Sequence, residues 1–517
     1  MIEVATDSSY WNPFSNVALL FDLYKTEIDD KDRNNIKVTL KQYVQGIGTI
    51  EGENDNMLGF AFGEGPHGII GKVWEGCFKV SEEIKKNLGV NMEIGSLTFD
   101  VFGFSRGAAS ARHFCNEILG KQSIEIIEER IFSGNTSDRS TKNDNIQPPK
   151  TSKLMKPIGR KYKLGLLGKA LQLQKTQHEV KYYEKPMNSP AKNNAELLKD
   201  IEKHRLDFEN NAPVKIRFVG LFDTVVAQMI IKNHFGKKLD ALNMITPTPI
   251  PPFIGSFLEF KLDKVRQKID HLPIKQIVHL IAEDEYRENF ASTKVGNAKH
   301  IFERRLPGAH SDLGGGYAAM KIDEDIVDYD YITHQTPELP NPKRLLDLKQ
   351  FLINKGYCLS GEIKAIKTFN YTTRNAVAFQ TLFQLIVTRS LTPRFSVIYL
   401  NVMKELCEKS GLVFEKPGIK YEFEHKTPPQ LIEYERELIE NLKSQFEGKP
   451  IKPIKKHLPK NLYVHLSSNF NKSKGIERYG AAITGNKNID TLFYVNAPRY
   501  SNPKQDSYER ETYTHPQ

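Results

Sequence analysis

Five consecutive residues, Gly103-Phe104-Ser105-Arg106-Gly107, form the clearest chemistry-bearing pattern in the chain. A serine on a tight turn between a strand and a helix presents its hydroxyl above a sheet edge, and small flanking residues let the two elements pass closely. Gly103 and Gly107, with Ala108 and Ala109 behind them, are expected to meet that demand. A helix opening at Arg106 would add a backbone N–H and the positive end of its dipole, where charge develops on a carbonyl oxygen under attack. Arg106 is therefore the expected oxyanion donor, through its main chain.

A serine hydroxyl attacks only when a base takes its proton, and that base needs an acid to orient it. For a serine on a strand-to-helix elbow the chain order is serine, then Asp or Glu, then His. His310 occurs late enough and lies in Pro307-Gly-Ala-His-Ser-Asp-Leu-Gly-Gly-Gly316, a loop directly after a β-type run. Asp223 ends the strongest strand candidate, and Thr224 is expected to hold its carboxylate. Asp284 and Asp312 are reserve acids; Asp312, two residues beyond the base, suits a loop-bracing role better. Each residue also has a bland reading: a glycine-rich turn, a solvated loop histidine, a turn or helix-cap aspartate. The context of Ser105, after one element and before another, favours the chemical reading.

Those elements can be read from periodicity. Apolar residues from Ile70 to Leu88 recur at three- or four-residue steps and stop at Gly89, the pattern of an amphipathic helix. Leu97 to Phe102 is a short β-rich run, and a second helix pattern starts at Arg106. Val214–Phe222, Gln276–Ala282 and His300–Leu306 are further strand candidates, each running into a polar loop. Alternation of this kind predicts an α/β fold with a mostly parallel central sheet and helices on both faces. Beyond Tyr317 the pattern is mostly helical, clearest at Lys343–Lys355, Ala376–Arg389 and Leu431–Gln445. The expected organisation is a core in two parts, 1–131 and 195–320, a basic surface insertion at 132–194, and a mostly helical region, lid-like or membrane-facing, at 321–517.

Composition narrows the function classes. The 517 residues are 39% hydrophobic and 26% charged, ordinary for a globular chain. The charge-free window from Ala241 to Leu258 carries Pro247, Pro249, Pro251 and Pro252, unlike a spanning helix. Met1 to Tyr24 holds acidic residues and no Lys or Arg, so no classical export signal is expected. Cys77, Cys115, Cys358 and Cys407 are far apart, without metal-ligand spacing. No metal and no organic cofactor is expected. Gly63-x-Gly65-x-x-Gly68 satisfies a dinucleotide-loop pattern, but Pro66 interrupts it, and Gly71-Lys72 is followed by Val73 rather than the Ser or Thr of a P-loop.

The motifs together resemble one family. Gly103 to Ala109 (GFSRGAA), Val219 to Val225 (VGLFDTV) and Pro307 to Tyr317 (PGAHSDLGGGY) are similar to the three hallmark segments of the type VI secretion lipase effectors of the first phospholipase class, which are α/β-hydrolases. Further likeness appears at Ser15–Leu20, Tyr43–Thr49 and Tyr463–Ser468. The resemblance implies a triad of Ser105, Asp223 and His310 and hydrolysis of phospholipid acyl esters. It also implies synthesis in the cytoplasm, delivery to the periplasm or membrane of a target cell, and a cognate immunity protein. Members normally open with a hydrophobic strand and an Asp-Gly-Thr loop, which Met1 to Trp11 does not contain; a secretion spike component or a fused N-terminal piece is an expected partner.

A lipid substrate would give the rest of the chain a use. Between Lys150 and Lys192 eleven Lys or Arg stand against Glu179 and Glu184, a net +9 of the chain's +10. Basic clusters are drawn to anionic bilayers by about 1 kcal/mol per charge. Leucines interleave with these lysines as on an interfacial helix, making Lys161, Lys163, Leu166 and Leu167 candidate membrane contacts. Phe253 and Phe257, in the Pro-rich apolar segment, are candidates for a lid or acyl-chain groove. Two rival readings stand beside this one. On one, the insertion is a binding module for nucleic acid or an acidic partner on an inactive scaffold; in the esterase reading no nucleic acid partner is expected. A hydrolase of a different ester is the other.

Overall fold

The structure, a computed structural model, describes residues 14–29, 36–47, 68–89, 93–119, 124–131, 154–162, 203–204, 206–209, 212–226, 265–287, 290–317, 323–334, 343–372, 378–392, 394–416, 426–468, 500–502, 507–508 and 512–513. In chain order the elements that matter for the site are α1 (Asn16–Leu23), α2 (Ile69–Leu88), β1 (Leu97–Phe104), α3 (Arg106–Leu119), β2 (Ile124–Ile131), β3 (Leu154–Tyr162), β4 (Val214–Phe222), β5 (Ile274–Ala282), β6 (Ile301–Leu306) and α4 (His310–Gly314). They are followed by β7 (Asp323–His334), α5 (Lys343–Asn354), β8 (Ile363–Thr372), β9 (Ala378–Arg389), α6 (Ser396–Lys409), α7 (Ile432–Phe446) and α8 (Lys460–Tyr463).

Strands β1, β4, β5 and β6 form a parallel sheet in that spatial order. Parallel strands need crossover connections and are covered on both faces, which is why β4 and β5 read as nearly unbroken apolar runs. On one face α2 and α3 pack Val73, Cys77, Ala108, Ala111 and Cys115 against Ile216, Val219, Leu221 and Ile277. On the other, α1, α6 and α7 bring Leu19, Leu20, Ile398, Met403 and Leu438 against Phe218, Phe222, Val278 and Leu280. Ile216 and Val219 share a face because the register shifts there: Phe99 pairs with Ile216 and Asp100 with Phe218, leaving Arg217 as the extra residue of a bulge. Arg217 uses its outward position to bind Asp100, Nε to Oδ1 at 3.0 Å. The family-like parallel α/β arrangement is thus present, with helices on both faces.

Two local expectations fail. The helix expected at Ala376–Arg389 is, over its described residues Ala378–Arg389, a strand: β9 is the middle strand of an antiparallel sheet ordered β7-β9-β8. Its buried residues Leu385, Val387 and Arg389 alternate with more exposed ones, a period of two. The β-branched and aromatic content of that stretch outweighed an incidental spacing of three and four. The C-terminal region therefore combines helices α5, α6 and α7 with a sheet. Leu154–Tyr162 is likewise a strand rather than the start of an interfacial helix. It pairs antiparallel with β2, placing Lys161 opposite Glu125 and Lys156 opposite Glu129 in register, with an irregularity beside Pro157. Lys163, Leu166, Leu167, Phe253 and Phe257 lie outside the described residues. Among the described residues no helix is long and apolar enough to cross a membrane.

Candidate active site

The serine turn is built as its composition requires at Gly103 but not at Gly107. β1 runs to Phe104, α3 begins at Arg106, and Ser105 between them has φ 58°, a left-handed conformation that L-residues rarely adopt. A Cβ on Gly103 would collide with Gly107 O and Ala108 Cα, so strand and helix cross at van der Waals distance only because that position is glycine. A Cβ on Gly107 would meet nothing within 4 Å, so Gly107 is not needed for close passage. Main-chain bonds tie the turn to the end of β4: Ser105 N–H donates to Phe222 O at 3.0 Å, and Ser105 O accepts from Val225 N–H at 3.3 Å.

Asp223 therefore sits beside the serine turn, and it is also strained, with φ 44°. Its carboxylate is fully buried. One oxygen, Oδ1, accepts the Ala282 N–H at 3.0 Å, and the other, Oδ2, lies 2.6 Å from His310 Nδ1. The carboxylate only accepts, so Nδ1 of His310 carries the proton and Nε2 is left with its lone pair. Burial lowers the His310 pKa from its ordinary value; the hydrogen bond and charge of Asp223 pull it back up, and Arg287 pushes it down. The imidazole ring lies between two phenyl rings, with centroids 4.6 Å from Phe104 and 4.9 Å from Phe290.

Thr224 does not hold the carboxylate. Its N–H donates to His279 Nε2 at 3.1 Å, and its hydroxyl oxygen has no hydrogen-bond partner among the described residues. His279 is neutral with the proton on Nδ1, which faces Glu303 Oε2 at 3.0 Å; burial lowers its pKa against the pull of that carboxylate. The residue that fixes the turn after Asp223 is thus a buried histidine inside β5. Its sequence signal was one polar residue within the otherwise apolar run Ile277–Ala282.

The reserve acids are engaged elsewhere. Asp284 accepts the Gly308 N–H at 2.7 Å and binds Lys460 Nζ at 2.6 Å; Asp312 accepts the Ala309 N–H at 2.9 Å and faces His465 Nδ1 at 2.6 Å. Two further residues escaped the sequence reading. Glu285, fully buried, takes Arg287 through both carboxylate oxygens and accepts the His310 N–H at 3.3 Å. Arg287 in turn lies 3.4 Å over the Phe290 ring. Arg106 opens α3, and burial lowers its guanidinium pKa to about 10.

Comparison with known proteins matches residues 158–332 to the family described as T6SS, Phospholipase effector Tle1-like, catalytic domain. That span is similar to the catalytic domain of Tle1-like phospholipase effectors of type VI secretion. It contains Asp223 and His310, while Ser105 lies upstream of it. Among solved structures, one of the Tle1 effector bound to the VgrG spike from the type 6 secretion system is similar at TM-score 0.56 and 20% identity, covering 89% of this chain and 74% of that one. A second, an uncharacterized protein from Pseudomonas aeruginosa, has TM-score 0.25 at 16% identity over 75% of this chain and 33% of that one. No curated protein matches the chain. The Tle1-like likeness agrees with the parallel α/β fold and with helices on both faces of the sheet.

Proposed function

We propose that this Tle1-like chain is a serine esterase that cleaves acyl esters of membrane phospholipids through an acyl-enzyme. Ser105 is the nucleophile, His310 the general base and then acid, and Asp223 the residue that orients the imidazole. The observation that carries the reading is the 2.6 Å contact of His310 Nδ1 with Asp223 at the carboxyl edge of a parallel sheet, beside a serine at φ 58°. In the first half of the reaction Nε2 of His310 takes the Ser105 proton as Oγ bonds to the ester carbon. The tetrahedral oxyanion is met by the backbone N–H of Arg106. Collapse expels the lysolipid alkoxide, which receives the proton from His310. Water, deprotonated by the same imidazole, then releases the fatty acid and restores Ser105.

Residues 1–131 and 195–320 make up the hydrolase body in this reading, with 132–194 a basic insertion and 321–517 a lid-like or membrane-facing region. Delivery by a type VI apparatus into a target cell, docking on a spike protein, and neutralisation by an immunity protein are proposed on the family likeness. Membrane contact through the basic insertion is proposed on its charge. The experiment is mass spectrometry of products from mixed bacterial phospholipids incubated with the parent chain and with Ser105→Ala. Free fatty acid and lysophospholipid from the parent alone support the reading. Equal products from both, or none from the parent, contradict it.

A further inference from the structure

Three consecutive backbone N–H groups lead into the imidazole at 310, and each is held by a different buried carboxylate. Gly308 N–H donates to Asp284 Oδ2 at 2.7 Å, Ala309 N–H to Asp312 Oδ2 at 2.9 Å, and His310 N–H to Glu285 Oε2 at 3.3 Å. Each carboxylate is also bound by one residue of a single distant segment: Asp284 by Lys460 Nζ at 2.6 Å, Asp312 by His465 through both its backbone N–H at 3.0 Å and Nδ1 at 2.6 Å, and Glu285 by Ser467 Oγ at 2.9 Å. The three carboxylate residues are at most 3% exposed. Tyr317, which follows the loop, stacks on His465 with ring centroids 3.7 Å apart.

We infer that residues 460–467 form a clamp that positions the His310 imidazole through Asp284, Asp312 and Glu285. The inference rests on the triad reading above. The loop 307–310 has Gly308 at φ 123° and begins a helix of only five residues, so its first N–H groups have no partners from an intact helix. Carboxylates supply those partners, and carboxylates this buried require counter-charges or donors of their own. The segment 460–467 provides one to each. A loop that must keep one ring nitrogen on Asp223 and the other toward Ser105 is thereby fixed through its own backbone N–H groups. Asp284 receives the Tyr357 hydroxyl as well, which anchors that arm to the C-terminal region.

Glu285 has a second effect, on charge. The charged groups facing the imidazole are Asp223, Glu285 and Arg287; Arg287 acts against its protonation, and Glu285 offsets Arg287. Glu285→Gln keeps an acceptor for the His310 N–H but leaves Arg287 uncompensated. A residue that only maintained the fold would not move the titration of the base.

The test uses the full chain, a short-chain p-nitrophenyl ester and a fluorophosphonate probe. Glu285→Gln is expected to lower kcat by about 10- to 100-fold with KM nearly unchanged, and to move the acid limb of kcat/KM to lower pH. The double variant Glu285→Gln/Arg287→Met is expected to return that limb toward the parent position while kcat stays low. Ser467→Ala, a truncation at a partly exposed side chain, is expected to lower kcat by a few-fold at unchanged thermal midpoint, and it decides the matter if Glu285→Gln does not fold. Folded variants with parental kcat and parental acid limb overturn the clamp, provided the parent reacts with the probe at Ser105. A parent that does not react there overturns the triad reading instead.

Discussion

Asp223 holds His310 with one carboxylate oxygen and the backbone of Ala282 with the other, so the acid is fixed to β5 by the bond that leaves its second oxygen free for the imidazole. The carboxylate is a pure acceptor in both contacts. Asp223→Asn is expected to place an amide N–H against Nδ1, or to force Nδ1 to lose its proton so that Nε2 carries it. The first outcome misorients the base and the second removes it, and kcat is expected to fall by about 10³- to 10⁴-fold with little change in the far-UV spectrum. Steady-state kinetics on a phospholipid or a chromogenic ester checks this; a loss below tenfold would speak against Asp223 as the orienting acid.

Activity should persist into mild acid. Burial lowers the His310 pKa below its ordinary value of 6.5, so the imidazole stays neutral, and able to accept a proton, below that pH. The acid limb of kcat/KM is expected below pH 6.5. A limb at or above 6.5 would mean that the ring is more exposed in solution, or that another base acts.

The elbow glycines should behave oppositely. Gly103→Ala drives a Cβ into the backbone of Gly107 and Ala108, which has no rotamer to relieve it. It is expected to destabilise the fold by about 1–3 kcal/mol and to displace Ser105. Gly107→Ala faces open space on a helix and is expected to be neutral or to stabilise by up to about 1 kcal/mol. Urea midpoints of the two variants decide it, and equal losses would contradict the geometry.

Acid should also unfold the chain in part through His113. Its Nδ1 accepts the Arg266 N–H at 3.0 Å, and burial, aided by the nearby Arg266 charge, lowers its pKa to about 3. The unfolded chain binds a proton there below the ordinary value of 6.5, while the folded chain does not until about 3. Stability is therefore present above pH 6.5 and is lost progressively as pH falls toward 3, with a slope approaching about 1.4 kcal/mol per pH unit from this group alone. Denaturant midpoints measured from pH 7 to pH 4 should show it, and His113→Gln should flatten the slope by about one proton. An unchanged slope would show that His113 titrates normally.

Much of the sheet was legible because a parallel strand buried on both faces leaves an apolar run that few other elements imitate. Val214–Phe222 and Gln276–Ala282 were read in this way, and the strand and helix either side of Ser105 followed from a change of period. The meeting of Asp223 with His310 was expected from the order of residue types. What failed turned on information that local sequence does not carry. Whether Thr224 reaches Asp223 or His279 depends on where β5 lies. The open space at Gly107 depends on the crossing of β1 and α3. The helical spacing in Ala376–Arg389 was overridden by pairing on both sides of β9. The role of Glu285 at the loop gave no signal, because the partners that tie it there, His310 and Ser467, are 25 and 182 residues away.

The central claim is that Ser105 is a nucleophile activated by His310. A serine-directed fluorophosphonate incubated with the full chain, followed by digestion and mass mapping of the adduct, tests it most directly. One adduct per chain on the peptide bearing Ser105, absent in Ser105→Ala and at least 10²-fold slower in His310→Ala, is the expected result. No adduct on folded protein, or labelling of Ser105 that proceeds at the parental rate without His310, would contradict it.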